Sequence, residues 1–296
     1  MDVDLDWIAN ALGAARARRR ERIQTLWSGY GEIIRVELED CAHETAIVKW
    51  AKPPKHVRTD EARSHARKCR SYDVEMAWYR GLAKTCDDAC RVPRLLASKK
   101  EKDEWIFVLE DLDYAGFYGR SRDPDAAQIE ACLAWLASFH ARFMNQSPDA
   151  LWKSGTYWHL QTRPDELARI RDEALRARAP EIDRQLSDAK FQTLVHGDAK
   201  PANFCFSPKT NAVAAVDFQY VGRGCGMKDV AYFLYDDAEP IPAVERAHLK
   251  CYFDRLRAAI ALRENAIDVG ALEREWRELY PVARADFIRF LAGWSG

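Results

Sequence analysis

The chain has no long apolar run, no excess of either charge and few cysteines. No stretch of about eighteen apolar residues occurs, so no membrane-spanning helix is expected. Lys and Arg number 45 against 46 Asp and Glu, for a formal net charge of -1. That balance leaves no electrostatic footprint for a polyanion, and neither a nucleic-acid nor a membrane partner is expected. Eight cysteines in 296 residues are too sparse for a disulfide scaffold, and reduced thiols in a cytoplasmic protein are the expectation. Cys86 and Cys90 share a helical spacing, but no second pair completes them as a zinc site and the seven histidines are scattered. Asp2, Asp4 and Asp6 argue against a cleaved signal or transit segment. Repeats and low-complexity linkers are absent from the sequence. What is left is a globular chain, 48% hydrophobic and 31% charged, long enough for a sizeable core in one two-lobed domain or two ordinary ones.

The hydrophobic pattern changes along the chain. Residues 4–22 read as one helix, with Trp7, Ile8 and Leu12 on one side and Arg16 to Arg22 as its solvated basic end. Strands are expected at Ile23 to Trp27, Ile33 to Leu38 and Thr45 to Trp50, and Pro53-Pro54 stops the third. The turn between the first two is Ser28-Gly29-Tyr30-Gly31-Glu32, whose glycines permit positive φ and close backbone approach. Residues 60–83 read as a long helix with Tyr72, Glu75, Met76 and Tyr79 on one stripe. Glu75 is then a carboxylate on an apolar face, and it needs a partner if buried. Strands near Leu95 and at Trp105 to Leu109 precede Glu110-Asp111-Leu112-Asp113, where the pattern turns mainly helical. Helices are expected at 128–143, 164–178, 181–189, 244–262 and 273–291, with short apolar strands at Gln192 to Val195, Phe204 to Phe206 and Val213 to Phe218. The expected class is α+β, with a β-rich lobe over 1–110 and a mainly helical lobe over 111–296.

Chemistry concentrates in two short segments. The first is His196-Gly197-Asp198-Ala199-Lys200-Pro201-Ala202-Asn203, between two apolar strands; the second is Val216-Asp217-Phe218-Gln219. Phosphoryl transfer from ATP needs a carboxylate to orient a hydroxyl and take its proton, a second carboxylate with an amide oxygen for magnesium, and a cation on the phosphates. Asp198 and Asn203 have the separation of the catalytic Asp and the metal-binding Asn in the protein-kinase template. Asp217 follows at a distance that a hairpin spans. Asp residues also cap turns after strands, and that reading of Asp198 and Asp217 stands beside the first.

These two segments resemble those of the aminoglycoside phosphotransferase and choline kinase group of kinase-like folds. The nearest likeness is to the ecdysteroid-kinase-like (CHK) family, whose members commonly carry HGD, then N, then DFQ. The resemblance runs from the glycine turn to Asp229 and is specific at the two loops. It implies a two-lobed protein-kinase-like fold with ATP and Mg2+ between the lobes. It implies that Asp198 is the catalytic base, that Asn203 and Asp217 hold magnesium, and that Lys200 offsets charge on the transferring group. Lys49 would contact the ATP phosphates and pair with Glu75, and Ser28, Gly29 and Gly31 would cover the phosphates. Glu110, Asp111 and Leu112 would form the hinge whose backbone meets adenine. Asp229 would brace the catalytic loop. Trp152, Tyr157 and Trp158 lie where relatives build acceptor pockets, and an aromatic box for a cationic acceptor is one reading of them.

The chain also departs from the protein-kinase pattern. Its glycine loop is only Gly29-x-Gly31, Gln219 replaces the Gly of DFG, Gly197 stands in place of Arg, and no Ala-Pro-Glu follows. These features favour a kinase of small-molecule hydroxyls over a protein kinase. The alternative is a catalytically weak pseudokinase that binds a nucleotide or a partner. Lys52 competes with Lys49 for the phosphate role, Glu75 could be a solvated helix residue, the two glycines could serve only a hairpin, and His140 reads as a packed, satisfied histidine. No motif names the acceptor or the oligomeric state.

Overall fold

The structure is a computed structural model that describes residues 3–54, 56, 58–236, 241–263 and 267–294. In chain order, α1 (Leu5–Leu12) leads into β1 (Arg16–Thr25), β2 (Gly31–Glu39) and β3 (Thr45–Ala51). Then come α2 (Ala62–Arg80), β4 (Leu95–Glu101) and β5 (Glu104–Glu110). The remainder is α3 (Ala126–Arg142), α4 (Pro164–Arg169), α5 (Glu173–Ser187), β6 (Thr193–Val195), β7 (Phe204–Phe206), β8 (Val213–Ala215), β9 (Gly222–Gly224), α6 (Met227–Phe233), α7 (Pro242–Ala261) and α8 (Val269–Trp294). The first five strands form one antiparallel sheet in the order β1-β2-β3-β5-β4. Below it, two small antiparallel pairs, β6-β9 and β7-β8, carry the loops among the helices. The expected α+β class, with a β-rich first part and a mainly helical remainder, is what the structure shows.

Both faces of the large sheet are covered, and strand periodicity decides which residue faces what. Ala46, Val48 and Trp50 pack with Ile8 and Ala9 of α1. The other face meets α2 through Tyr72, Met76, Tyr79 and Phe107. Lys49 alternates onto that second face. The large core continues through Trp78, Phe139 and Phe218 into the helical part, where Phe218 stacks on Trp78 with ring centroids 4.8 Å apart.

The first helix is shorter than its sequence pattern predicts. Gly13, at φ 66°, caps α1, and the run from Arg16 onwards becomes an edge strand instead of a basic helix end. Its charges find partners across the ladder: Arg19 bonds Glu32, Arg18 pairs with Glu39, and Glu21 pairs with Arg35. Alternating charge opposite alternating charge stabilises antiparallel strands and guards an exposed edge. The pattern of 164–178 and 181–189 is also shifted: one helix closes at Arg169, and the next starts under the Asp172 cap and runs through Pro180. Burial of Ala179, Ile182 and Leu186 offsets the roughly 3 kcal/mol that an interior proline costs. Val216 to Phe218 leave the strand expected there, because the chain turns at Asp217, φ 70°.

The glycine turn separates into two kinds of glycine. A Cβ on Gly31, φ 132°, would lie 2.0 Å from the Trp50 carbonyl oxygen, whereas Gly29, φ 70°, meets nothing within 4 Å. Gly31→Ala is therefore expected to destabilise the protein by several kcal/mol through a backbone clash, and Gly29→Ala by only about 1 kcal/mol through its φ. Urea midpoints of the two variants check this; equal costs would contradict the close approach of β2 and β3.

Candidate functional site

Lys49, Glu75 and Asp217 come from three remote parts of the chain and meet below the sheet. The Lys49 Nζ donates to Glu75 Oε1 at 2.9 Å and to Asp217 Oδ1 at 2.9 Å, and it lies 2.8 Å from Glu75 Oε2. That last contact is an ion-pair distance without hydrogen-bond alignment. Glu75 is 1% exposed and Lys49 4%, so each would be costly to bury without the other. Burial works against the Lys49 ammonium, but Asp217 and Glu75 outweigh it and raise its pKa. Burial pushes the Glu75 carboxyl up to about 7 while Lys49 pulls against that shift. Burial also opposes ionisation of Asp217, yet Lys49 holds its carboxyl below the ordinary value. Lys52 turns to the other side, 2.8 Å from Glu104 and over the Trp50 ring, so Lys49 is the inward lysine.

Asp198 follows β6. Its Oδ2 accepts from Lys200 Nζ at 2.9 Å and from Asn203 Nδ2 at 2.9 Å, and its Oδ1 accepts from the Tyr232 hydroxyl at 3.1 Å. Burial raises the Asp198 pKa, Asp217 adds to the rise, and Lys200 opposes it. Asp217 thus acts on Asp198, and the two carboxylates shift in opposite directions. Asn203 spends Nδ2 on both the Asp198 carbonyl and its carboxylate, which leaves Oδ1 as the acceptor end of the amide.

The loop that carries Asp198 is held from behind. Asp229 accepts from the His196 amide at 2.6 Å and the Gly197 amide at 2.9 Å, and its Oδ2 also meets His140 Nε2 at 3.1 Å. The other His140 nitrogen meets the Tyr252 hydroxyl at 2.7 Å, so this histidine is packed and satisfied. His196 donates from Nε2 to the Val216 carbonyl and accepts the Asp198 amide on Nδ1. Burial lowers its pKa, and the neutral ring is the form that can do both. It thereby ties the Asp198 loop to the Asp217 loop. A Cβ at Gly197, φ 81°, would sit 2.2 Å from the Tyr220 carbonyl oxygen, which is why no side chain stands there.

The remaining predicted residues lie around this centre with varied orientation. Ser28 Oγ accepts from Lys68 Nζ at 2.9 Å at the turn above α2. The Glu110 carboxylate turns away to Arg91 at 2.6 Å, Asp111 pairs with Arg35 at 2.6 Å and with Thr45, and Leu112 packs with Cys205 and Ala214. Their backbone is in part bonded as well: the Glu110 amide donates to the Arg94 carbonyl, and the Asp111 and Leu112 carbonyls accept from the Ala115 and Phe117 amides. The aromatic box does not form: Trp158 is buried on Asp286, Trp152 stacks on Tyr220, and Arg163 lies over Tyr157 at 5.7 Å.

Several residues escape sequence reasoning. Gln219 donates to Asp217 Oδ1 at 2.9 Å and accepts from Ser71 of α2 at 3.0 Å. This gives the Gln of the DFQ triplet a positioning task. Tyr232 is three residues past Asp229 on α6, a spacing that signals a shared face. Gly155, Thr156 and Tyr157 donate their amides to Arg223, Tyr220 and Gly197 carbonyls, and no sequence signal marks that strap. Among the described residues no group of three His, Cys, Asp or Glu gathers into a metal cage, and no helix is long and apolar enough to cross a membrane.

An α+β scaffold that brings a Lys-Glu-Asp cluster beside an Asp-Asn loop has the parts of a phosphotransferase. Residues 11–261 match the family described as APH, phosphotransferase enzyme family, and the chain belongs to that family. No curated protein matches it. Among solved structures, an aminoglycoside-3'-phosphotransferase of type VIII is 18% identical, over 89% of this chain and 93% of that one, with a TM-score of 0.47. The aminoglycoside phosphotransferase APH(3'')-Id from Streptomyces rimosus is 16% identical, over 93% and 96%, with a TM-score of 0.49. A putative fructosamine-3-kinase from Thermobifida fusca is 17% identical, over 97% and 99%, with a TM-score of 0.48.

Lys49→Met leaves Glu75 buried without its cation and is expected to cost about 3–5 kcal/mol. Lys49→Met with Glu75→Leu should recover much of that loss. Chemical denaturation of the single and double variants measures the coupling; strictly additive losses would contradict a buried pair.

Proposed function

We propose that the protein is an ATP- and Mg2+-dependent kinase of a small-molecule hydroxyl. The observation that carries this reading is the Lys49 ammonium held by Glu75 and Asp217, next to an Asp198 carboxylate whose pKa moves the opposite way to that of Asp217. Two carboxylates with separated affinities for protons divide the work: one accepts a proton, the other stays ionised. Asp198 takes the first task. It receives the acceptor's hydroxyl proton as the acceptor oxygen bonds to the γ-phosphorus, the bond to the bridging oxygen breaks, and its electron pair leaves on ADP. Lys200, 2.9 Å from Asp198, offsets charge on the moving phosphoryl group. Lys49 holds the α- and β-phosphates, and Glu75 keeps it aimed.

One carboxylate and one amide oxygen are a donor set that suits magnesium, which takes the rest of its shell from water and phosphate oxygens. Asp217 and Asn203 would hold it. The hydrogen bonds described on Asp217 both fall on Oδ1, and the Asn203 amide presents its oxygen away from Asp198. Bound there, the ion neutralises phosphate charge. Backbone groups of Glu110 to Leu112 receive adenine, and the turn from Ser28 to Gly31 covers the phosphates. The lobe division near residue 110 then separates the nucleotide roof from the acceptor floor. Gln219, with its contact to Asp217, supports the narrower likeness to the ecdysteroid-kinase-like members.

Asp198→Ala is expected to lower kcat by roughly 100- to 10,000-fold, with the fold kept, and Asp217→Ala to abolish turnover. Coupled ADP-release assays with circular dichroism check both; wild-type turnover in both variants would sink the assignment, while ATP binding without turnover in the wild type would favour the pseudokinase. The activity needs Asp198 deprotonated, so kcat falls at the acid side through a pKa above the ordinary Asp value. Lys200 lowers that pKa; Lys200→Met should therefore move the acid limb to higher pH as well as lowering kcat.

A further inference from the structure

Beyond Asp198 lies a wall of three tyrosines. The Tyr157 and Tyr232 ring centroids are 5.7 Å apart, those of Tyr157 and Tyr220 are 6.0 Å apart, and the Tyr232 hydroxyl is the one that donates to Asp198. Two arginines back this wall. Arg163 is fully engaged: it donates to the Tyr157 carbonyl at 2.6 Å and to Glu166 at 3.0 Å, and its guanidinium lies over Tyr157, Phe290 and Trp294. A cationic ligand finds that aromatic cage already filled by a cation of the chain itself.

Arg67 of α2 is different. It reaches across to the Thr162 carbonyl at 3.1 Å and the Ser64 hydroxyl at 3.0 Å, and no carboxylate among the described residues bonds it. Its Nε is buried without a hydrogen-bond partner. A half-buried guanidinium whose bonds all go to neutral groups carries an uncompensated positive charge that suits an anion. Tyr220 joins it to the reaction centre: Ser71, one turn along α2 from Arg67, bonds Gln219 at 3.0 Å, and Tyr220, the next residue, stands against Tyr157 with ring centroids 6.0 Å apart. The carboxylates nearby already face donors of the chain itself, although Glu166 Oε2 is buried without a hydrogen-bond partner. Glu166 serves Arg163, Asp165 serves Arg63, and Asp286 serves Trp158 and Arg289. A polyamine acceptor would meet two arginines here, and the carboxylate beside them, Glu166, is already paired with Arg163.

We propose that Arg67, beside Tyr220, is the anion subsite of the acceptor pocket, so that the alcohol phosphorylated at Asp198 bears a carboxylate or phosphate of its own. This rests on the kinase reading above and names the substrate class of that same site.

The test compares probes of matched size: D-glycerate and D-gluconate as carboxylates, glycerol 3-phosphate as a phosphate, glycerol as a neutral alcohol, and choline and ethanolamine as cations. Each is titrated calorimetrically into the full chain without nucleotide, and each is assayed for ADP release with MgATP. The expected result is binding and turnover of at least one anionic alcohol, with kcat/KM roughly tenfold or more above the cations, falling as salt rises. The carboxylate and phosphate arms separate the two sources of the anion. Arg67→Gln should collapse the ratio of anionic to cationic kcat/KM, Arg67→Lys should restore part of it, and Arg80→Gln, a surface arginine on Ser98, should leave it in place. Cations preferred over anions, failure of all anionic probes to bind at millimolar concentration, or a ratio indifferent to Arg67→Gln would overturn the proposal. Anion binding lost in Arg67→Gln, but with no ATP consumed by any sample, would instead support the subsite and overturn the kinase reading.

Discussion

A lysine ammonium buried between two carboxylates ties the sheet, the long helix and the Asp217 loop into one unit. Lys49 leaves β3, Glu75 leaves α2, and Asp217 leaves the turn after β8. Neither Lys49 nor Glu75 is tolerable alone at that depth, because desolvation of a single ion costs several kcal/mol, and the part-exposed Asp217 adds a second carboxylate to the same ammonium. Together they fix the distance between elements that share no local sequence. The position of α2 then sets the Tyr72, Met76 and Tyr79 packing above and the Ser71 contact to Gln219 below.

The helical part supplies the complementary constraint. Asp229 gathers two loop amides and a buried histidine onto one carboxylate, and His196 carries that order forward to Val216. The Asp198 carboxylate is therefore held by backbone that cannot relax without losing charge-assisted hydrogen bonds. Strain is stored nearby: Asp217 at φ 70° and Thr156 at φ 101° are non-glycine residues in the left-handed region, a conformation that persists only where the surroundings over-determine it. The Gly155 to Tyr157 strap, bonded to both loops, is part of those surroundings.

Much of the architecture was legible in the residues because its signals were local. Apolar runs marked β3 and β5, apolar periodicity over 128–143 marked α3, which the structure starts at Ala126 under an Asp125 cap, and the five-residue step from Asp198 to Asn203 located one loop. Other elements misled because charge has no intrinsic secondary structure. The arginines from Arg16 onwards fit a solvated helix end as well as an edge strand, and only the acidic partners on β2 choose between them. The expected helices at 164–178 and 181–189 miss the one that runs through Pro180, because a proline's cost is local while the burial that offsets it is not.

Local sequence set the chemistry available: two loops with two carboxylates and an amide, and a lysine on a strand whose alternation carries it to one face. Tertiary structure alone decided which groups act together. It chose Lys49 over Lys52, gave Gln219 and Tyr232 their contacts with the two carboxylates, filled the aromatic cage with Arg163, and left Arg67 among neutral partners. These outcomes depend on distances between segments more than a hundred residues apart in the chain, and such distances are set by packing and by the cost of burying charge, neither of which a local pattern records.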